Sequence, residues 1–249
     1  MAQPQSKRKL TKDDLAKALK LRDQNGIPLY LAKAVACGER SLSDVLKQML
    51  REDRIAKLAT KHEIDHDIAR DMLDGDFDLD YALLKMRARR YLQEHRERSC
   101  LTQALESGEP VAVCADPDRV IVGRVRELEQ YTFSLAPESG PPQALDKVCC
   151  HFVCAPGEAE AVLRDCLVDE GVRELDLAPE RSPQERTHFK HAVLQGFLES
   201  GQPMRAITRR GLVLTGKLEW FSIWEIGMQI KRGPSITVFR HALHLVSKA

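Results

Sequence analysis

Nothing in the 249 residues approaches the roughly 18 consecutive apolar positions that a spanning helix needs, so no membrane segment is expected. The opening MAQPQSKRKL is basic, but no apolar stretch follows it. It does not read as a signal peptide, and the cytoplasm is the expected location. Paired cysteines are lacking too. The seven cysteines, Cys37, Cys100, Cys114, Cys149, Cys150, Cys154 and Cys166, are odd in number and irregular in spacing. That argues against an oxidised scaffold. Cys149, Cys150, His151 and Cys154 are close in sequence, but a metal needs ligands facing one point. Successive residues of a strand face opposite ways, so these read as buried small hydrophobes and no metal is expected. Asp74, Asp76, Asp78 and Asp80 lack the glycine and distal glutamate of a calcium loop. Nor does the sequence advertise an acid–base pair, a nucleophile elbow or a phosphate loop, so neither an enzyme nor a cofactor is expected.

Net charge is also nearly absent, at +1, but this balance hides a division. Residues 1–100 hold 21 basic and 17 acidic residues, residues 101–183 hold 7 and 16, and residues 184–249 hold 10 and 4. A polyanion would prefer the two ends over the middle.

An internal repeat is present. LTQALESGEPVAVCADPDRVIVGRVRELEQY, from Leu101, aligns with LQGFLESGQPMRAITRRGLVLTGKLEWFSIW, from Leu194, at an offset of 93 residues. Leu105 meets Leu198, Glu106-Ser107-Gly108 meets Glu199-Ser200-Gly201, and Pro110 meets Pro203. Val120 meets Val213, Gly123 meets Gly216, Gly140-Pro141 meets Gly233-Pro234, and Lys147 meets Arg240. A unit this long is a duplicated domain rather than a solenoid repeat. Each copy begins with a short helix that Gly108 or Gly201 ends in the left-handed conformation. Pro110 or Pro203 then prevents the helix from resuming.

Short strands follow in each copy. In the second they are expected at 204–208, 212–221, 225–231, 235–239 and about 241–246. In the first they are expected at 111–114, 120–128, 131–135 and about 147–153. Gly123 and Gly216 fall inside strands, where the missing side chain permits a bend. The expectation is a small bent barrel of about five strands in each copy.

The segment GLVLTGKLEWFSIWEIGMQI…ITVFRHALHLV resembles the bacterial Hfq branch of the Sm/LSm family. Gly211, Leu214, Gly216, Leu218 and Phe221 follow its Gly-x-x-Leu-x-Gly-x-Ile-x-x-Phe-Asp-x-Phe motif, and Phe239-Arg240-His241-Ala242 follows its later Tyr-Lys-His-Ala. In the first copy Gly123, Val125, Leu128, Glu129, Gln130 and Tyr131 follow the first motif, and Asp146-Lys147-Val148 is a reduced second one.

The resemblance covers residues 100–153 and 187–247 and implies binding of U-rich or A-rich single-stranded RNA on rings of six or seven subunits. It implies that a base stacks on Tyr131 or Trp224, that Lys147 and Arg240 reach phosphate or base, that His241 lines the pore, and that Gln130 contacts the base. Stacking plus charge is how flexible RNA is usually held. Arg209-Arg210 and Lys231-Arg232 add cations at turns, where they would meet phosphates.

The pattern is broken in places. Ser222 stands where the family keeps an acid, Ile223 where it keeps glutamine, and Val148 where it keeps histidine. Neither copy carries a whole pocket, so a complete one would combine both. Phe221 reads as packing; for Tyr131, Trp224 and His241, packing and ligand roles both stand.

The first hundred residues read as helices at 12–23, 28–37, 42–50, 55–61, 64–73 and 79–97, with Ser41 and Asp78 as N-terminal caps. A weaker repeat at an offset of 37 pairs Ala32-Lys33 with Ala69-Arg70, Gly38 with Gly75, Leu42 with Leu79 and Leu46 with Leu83. Each unit is a helix-turn-helix-like pair that binds nucleic acid or protein, or simply packs. The tail Lys7-Arg8-Lys9 and the run from Lys85 to Arg90 are further candidates for phosphate contact.

The expected architecture is α+β and multidomain. A helical domain over 1–98 precedes a first Sm-like five-stranded bent barrel over 99–155. A helix and linker over 156–185 lead to a second such barrel over 186–249, and a short helix precedes each barrel. The expected function is non-catalytic RNA binding in post-transcriptional regulation, with self-association into a ring or pseudo-ring and a protein partner through the helical domain. The alternative is an assembly scaffold that has lost RNA binding.

Overall fold

Thr11 starts the first helix through a capping box: its side chain accepts from the Asp14 amide, and Asp14 accepts from the Thr11 amide. The computed structural model describes residues 10–116, 119–179, 182, 189–231 and 233–249. The chain divides into two compact units, Met1–Ala82 and Leu83–Ala249.

The first unit contains α1 (Lys12–Asn25), α2 (Leu29–Ala36), α3 (Leu42–His62) and α4 (His66–Leu73), and it holds the start of α5 (Leu79–Glu94). The offset-37 repeat is carried into structure: α2 and α4 coincide under it, and so do the ends of α1 and α3. Both of those ends turn through a left-handed residue, Gly26 at φ 64° and Glu63 at φ 53°. The next residue, Ile27 or Ile64, is buried. Ser41 caps α3 by accepting from the Asp44 amide, and Asp78 caps α5 by accepting from the Tyr81 amide. The helices expected at 42–50 and 55–61 are one helix, α3. The intervening Arg51-Glu52-Asp53-Arg54 is polar but contains no breaker, and the Lys57–Asp53 pair spans that turn. Ala18, Ile27, Leu31, Ala32, Ala36 and Val45 form this unit's core.

In the second unit, α6 (Cys100–Ser107) leads into β1 (Pro110–Asp116), β2 (Arg119–Leu128), β3 (Thr132–Ala136), β4 (Gln143–Asp146) and β5 (Phe152–Cys154). After α7 (Ala159–Asp165), β6 (Leu167–Val168) and α8 (Glu170–Glu174), the pattern repeats. It runs through α9 (His191–Ser200), β7 (Pro203–Thr208), β8 (Leu212–Phe221), β9 (Glu225–Ile230), β10 (Ser235–Phe239) and β11 (Leu243–Lys248). Gly108 and Gly201 end α6 and α9 in the left-handed region at φ 65° and 60°, as the sequence predicts.

The first copy differs from expectation at its fourth and fifth strands. The stretch expected as one strand at 147–153 is a 3-10 turn, Lys147–Cys149, followed by β5, and β4 precedes it. At four residues after Gly-Pro-Pro, β4 is too short to show a period. Within the helix and linker expected over 156–185, the helix α7 ends at Asp165 and is followed by β6, which pairs with β8. Leu177–Pro179 carries no helix or strand, and most of the rest of the expected linker lies outside the described residues.

Two separate barrels do not form. Among the described residues the strands make one antiparallel sheet of eleven, ordered β11-β7-β8-β9-β10-β5-β1-β2-β3-β4, with β6 beside β8, and the sheet is not closed into barrels. Each repeat contributes its fifth, first, second, third and fourth strands in that order. The two repeats are joined at a seam between β10 and β5. The fourth strand of the second repeat pairs not with its own fifth strand but with that of the first, Thr237 opposite Val153 and Val238 opposite Phe152. Val238 and Phe152 are fully buried.

The cores interlock in the same way. Ala112, Cys114, Phe152 and Cys154 of the first repeat lie in the core of the second. Phe239 and Ala242 of the second lie in the core of the first. Each large apolar side chain buried here stabilises by about 1.5–3 kcal/mol, so the seam is a core rather than a contact.

Candidate nucleic-acid interface

A four-residue turn after the second strand of each repeat sets the site. In the first repeat Glu129 N–H donates to the Thr132 carbonyl at 2.9 Å, and in the second Ser222 N–H donates to the Glu225 carbonyl at 2.8 Å. These positions are equivalent under the repeat. Each turn pushes its two middle residues outward: Gln130 and Tyr131 in one, Ile223 and Trp224 in the other. Tyr131 is 59% exposed and Trp224 is 60% exposed. Ser222, placed where the resembled family keeps an acid, caps its turn by accepting from the amides of Trp224 and Glu225 at 3.3 and 3.2 Å. The substitution therefore preserves the turn.

Both aromatic rings line one cleft at the seam between the repeats, with a volume of about 440 Å³. Gln130, Lys147 and Val148 of the first repeat also line it, as do Glu225, Phe239 and His241 of the second. Arg96, Glu97, Arg98, Ser99, Leu101, Thr102 and Leu128 complete its walls. The cleft thus gathers the first repeat's glutamine and lysine and the second repeat's histidine. Neither repeat holds all three.

The polar groups are tied to the frame. Gln130 Nε2 donates to the Tyr131 hydroxyl at 3.0 Å. Lys147 Nζ donates to the carbonyls of Glu129 and Gln130. Burial lowers the Lys147 pKa, against the favourable charge of Glu225 and the neighbouring Cys100. His241 Nε2 lies 2.6 Å from the Lys147 carbonyl oxygen. A carbonyl only accepts, so Nε2 carries the proton there. The imidazole also stacks on Phe239, with centroids 5.4 Å apart and planes 16° from parallel.

Glu225 is 4% exposed. Its carboxylate accepts from the Ser99 hydroxyl at 2.9 Å and from the Cys100 N–H at 2.7 Å, at the start of α6. Burial raises its pKa above the ordinary carboxylate range, and those hydrogen bonds and Lys147 pull the other way. No sequence motif singles out Glu225, Ser99, Arg96 or Arg98. A lone acid within a β-rich run was the available signal for Glu225. Arg98 lies over the Trp220 ring, 4.2 Å from its centroid.

The remaining expected cations lie elsewhere. Arg240 donates to the carbonyls of Ser222 at 2.9 Å and Phe189 at 3.1 Å, and burial lowers its pKa to about 10. It is a brace under the Trp224 turn. Arg209 donates twice to the Ala178 carbonyl, at 3.1 and 2.9 Å, and Arg210 pairs with Asp176 at 2.6 Å. Both help line a smaller cavity of about 140 Å³ with Cys149, His151, Leu177 and Pro179. Lys231 is exposed at the end of β9. Arg232 and the tail Lys7-Arg8-Lys9 lie outside the described residues. From the run near the end of α5, Arg87 is paired with Glu199 at 2.7 Å.

Cys150 and Cys154 face different cores. Burial raises each thiol to about 12. Among the described residues no group of three or more His, Cys, Asp or Glu side chains converges as a metal site. Among them, too, no helix is long and apolar enough to cross a membrane. The chain matches none of the family models, curated proteins or solved structures with which it was compared.

Proposed function

We propose that this chain is a non-catalytic RNA-binding protein of the Sm-like type, acting in post-transcriptional regulation in the cytoplasm. A short U-rich or A-rich single strand enters the seam cleft and stacks a base on Tyr131 or Trp224. Gln130 and His241 meet the base edge or sugar, and Lys147 meets phosphate. The observation that carries this reading is that two exposed aromatics, equivalent under the repeat, line one cleft with an amide, an ammonium and an imidazole drawn from both repeats. Stacking faces beside cations hold unpaired bases with little dependence on sequence. The strand order common to the repeats and the joining of a fourth strand to a fifth support the Sm-like resemblance.

Self-association belongs to the same reading. The sheet's two ends are β4, a fourth strand, and β11, a fifth. That is the kind of pair that β10 and β5 make inside the chain, and exposed edges invite such pairing. Three chains so joined give six repeats. The helical unit is the surface for a protein partner.

Retention of hexauridylate and hexaadenylate at low and high salt tests the proposal. Binding of either that weakens with salt is expected. Loss of both at low salt overturns it. An assembly scaffold without RNA binding then takes its place; the engagement of Arg209, Arg210 and Arg240 within the chain favours that second reading.

A further inference from the structure

Arg98 lines the seam cleft from the turn between α5 and α6. Its guanidinium carbon lies 4.2 Å from the centroid of the Trp220 ring. A cation so placed is attracted by the negative face of the indole. The ring is itself fixed. Trp220 is buried and pairs with Gly227 in the β8–β9 ladder, and a Cβ on Gly227 would overlap the indole. Glycine there lets the ring lie against the neighbouring strand, and the ring holds the cation.

The other cations of the seam are held differently. Lys147 donates to the carbonyls of Glu129 and Gln130, and Arg240 to those of Ser222 and Phe189. Arg96 faces the Glu97 carboxylate at 3.9 Å. Glu225, the buried acid of the cleft, accepts from Ser99 and Cys100. Among the described residues none accepts a hydrogen bond from the Arg98 guanidinium or pairs with it, and its Nε is buried with no partner. A buried donor without an acceptor is a cost that an anion beside the guanidinium offsets. Arg98 is thus positioned by stacking, and its donors are not spent on the fold.

Resting on the RNA reading above, we propose that Arg98 is a phosphate-binding residue of the seam cleft, set in place by Trp220. It takes two oxygens of a phosphodiester in the strand whose base stacks on Tyr131 or Trp224. A guanidinium offers paired donors that match two phosphate oxygens. Lys147, by contrast, has one N–H left after its two carbonyls.

Hexauridylate and hexaadenylate with hydroxyl ends, so that every phosphate is a diester, are titrated into the full chain at several salt concentrations. Melting curves show whether each variant is folded. Arg98→Met keeps the stem and removes the donors. Affinity is expected to fall about 13- to 160-fold, the range for charged hydrogen bonds. The slope of log affinity against log salt is expected to fall by about 0.7. Arg98→Lys keeps the charge and loses the planar donor pair. Its slope should hold while affinity falls about 2- to 13-fold, the range of one hydrogen bond. A residue that only packs on Trp220 would leave the slope unchanged in both variants. An unchanged slope in Arg98→Met, with or without weaker binding, overturns the assignment and leaves RNA binding standing. If Arg98→Met shows no melting transition, Arg98→Lys decides, and affinity equal to the parent's overturns the assignment. Failure of the parent to bind either oligomer at low salt overturns both readings.

Discussion

Glu225 accepts a 2.7 Å hydrogen bond from the backbone N–H of Cys100, the first residue of α6. An acid of the second repeat thereby satisfies a helix N-terminus of the first, where a negative charge is favoured. Its raised pKa says that burial costs the carboxylate more than those partners return. With the folded pKa above the unfolded one, the native state holds more protons between the two values. The contribution of Glu225 to stability is then greatest below the ordinary carboxylate range and falls as pH rises through the raised folded value. Glu225→Gln keeps an acceptor without the charge. We expect its stability at neutral pH to be close to the parent's and the fall with pH to be reduced. Glu225→Ala leaves the Cys100 amide unsatisfied and costs about 1–3 kcal/mol. Urea unfolding from pH 4 to pH 8 distinguishes these outcomes.

Tyr131 and Trp224 stand well out of the fold, so truncating either leaves stability nearly unchanged. A stacked base is worth about 1–3 kcal/mol, so each of Tyr131→Ala and Trp224→Ala should weaken hexanucleotide binding by roughly 5- to 150-fold. The thermal midpoint should hold within about a degree or two, as for other surface changes. Fluorescence anisotropy with a labelled oligomer, beside a melting curve, checks both. Unchanged affinity in the two variants together removes the stacking role.

Much of this was legible because the signals were local. Ser41, Asp78, Gly108 and Gly201 mark helix boundaries through groups that act within one turn. Four strands of the second repeat, rich in β-formers and set apart by turn signals, are read to within a residue, while the fifth, expected at about 241–246, is β11 at Leu243–Lys248 behind a 3-10 turn. The seam was not legible, because which edge β10 finds is decided by packing across more than eighty residues of chain. The same gap explains the divided fate of the site residues. Tyr131 and Trp224 sit on turns whose geometry the repeat itself encodes. Arg240 was expected to meet phosphate, and only the fold shows the Ser222 and Phe189 carbonyls beneath its guanidinium.

Gly123 and Gly216 lie inside the long second strands, close against the backbone of the neighbouring strand. A Cβ on Gly123 would lie 2.5 Å from the Ala136 carbonyl oxygen, and one on Gly216 closer still to that of Gln229. Those atoms belong to the neighbouring strand's backbone and cannot give way without moving the strand. Gly123→Ala and Gly216→Ala should each cost about 1–3 kcal/mol, the usual penalty of overpacking. The Gly216 change should cost more, because β8 and β9 are buried along more of their length than β2 and β3. Denaturant midpoints of the two variants test the size and the order.

Arg240 tests the difference between a brace and a phosphate contact. Its guanidinium joins the Trp224 turn to Phe189 through two carbonyls. Arg240→Met keeps much of the apolar stem and removes both donors, leaving those acceptors without the cation. Loss of charged hydrogen bonds of this kind costs about 1.5–3 kcal/mol. A lost phosphate contact would instead lower the slope of log affinity against log salt by about 0.7 for a single strand. The structure predicts the first result: a lower unfolding midpoint with an unchanged salt slope. Lys147→Met should do the reverse in slope, since Lys147 is the ammonium that lines the cleft. Reduced slope in the Arg240 variant at unchanged stability would move the phosphate from the seam to the second repeat's own face.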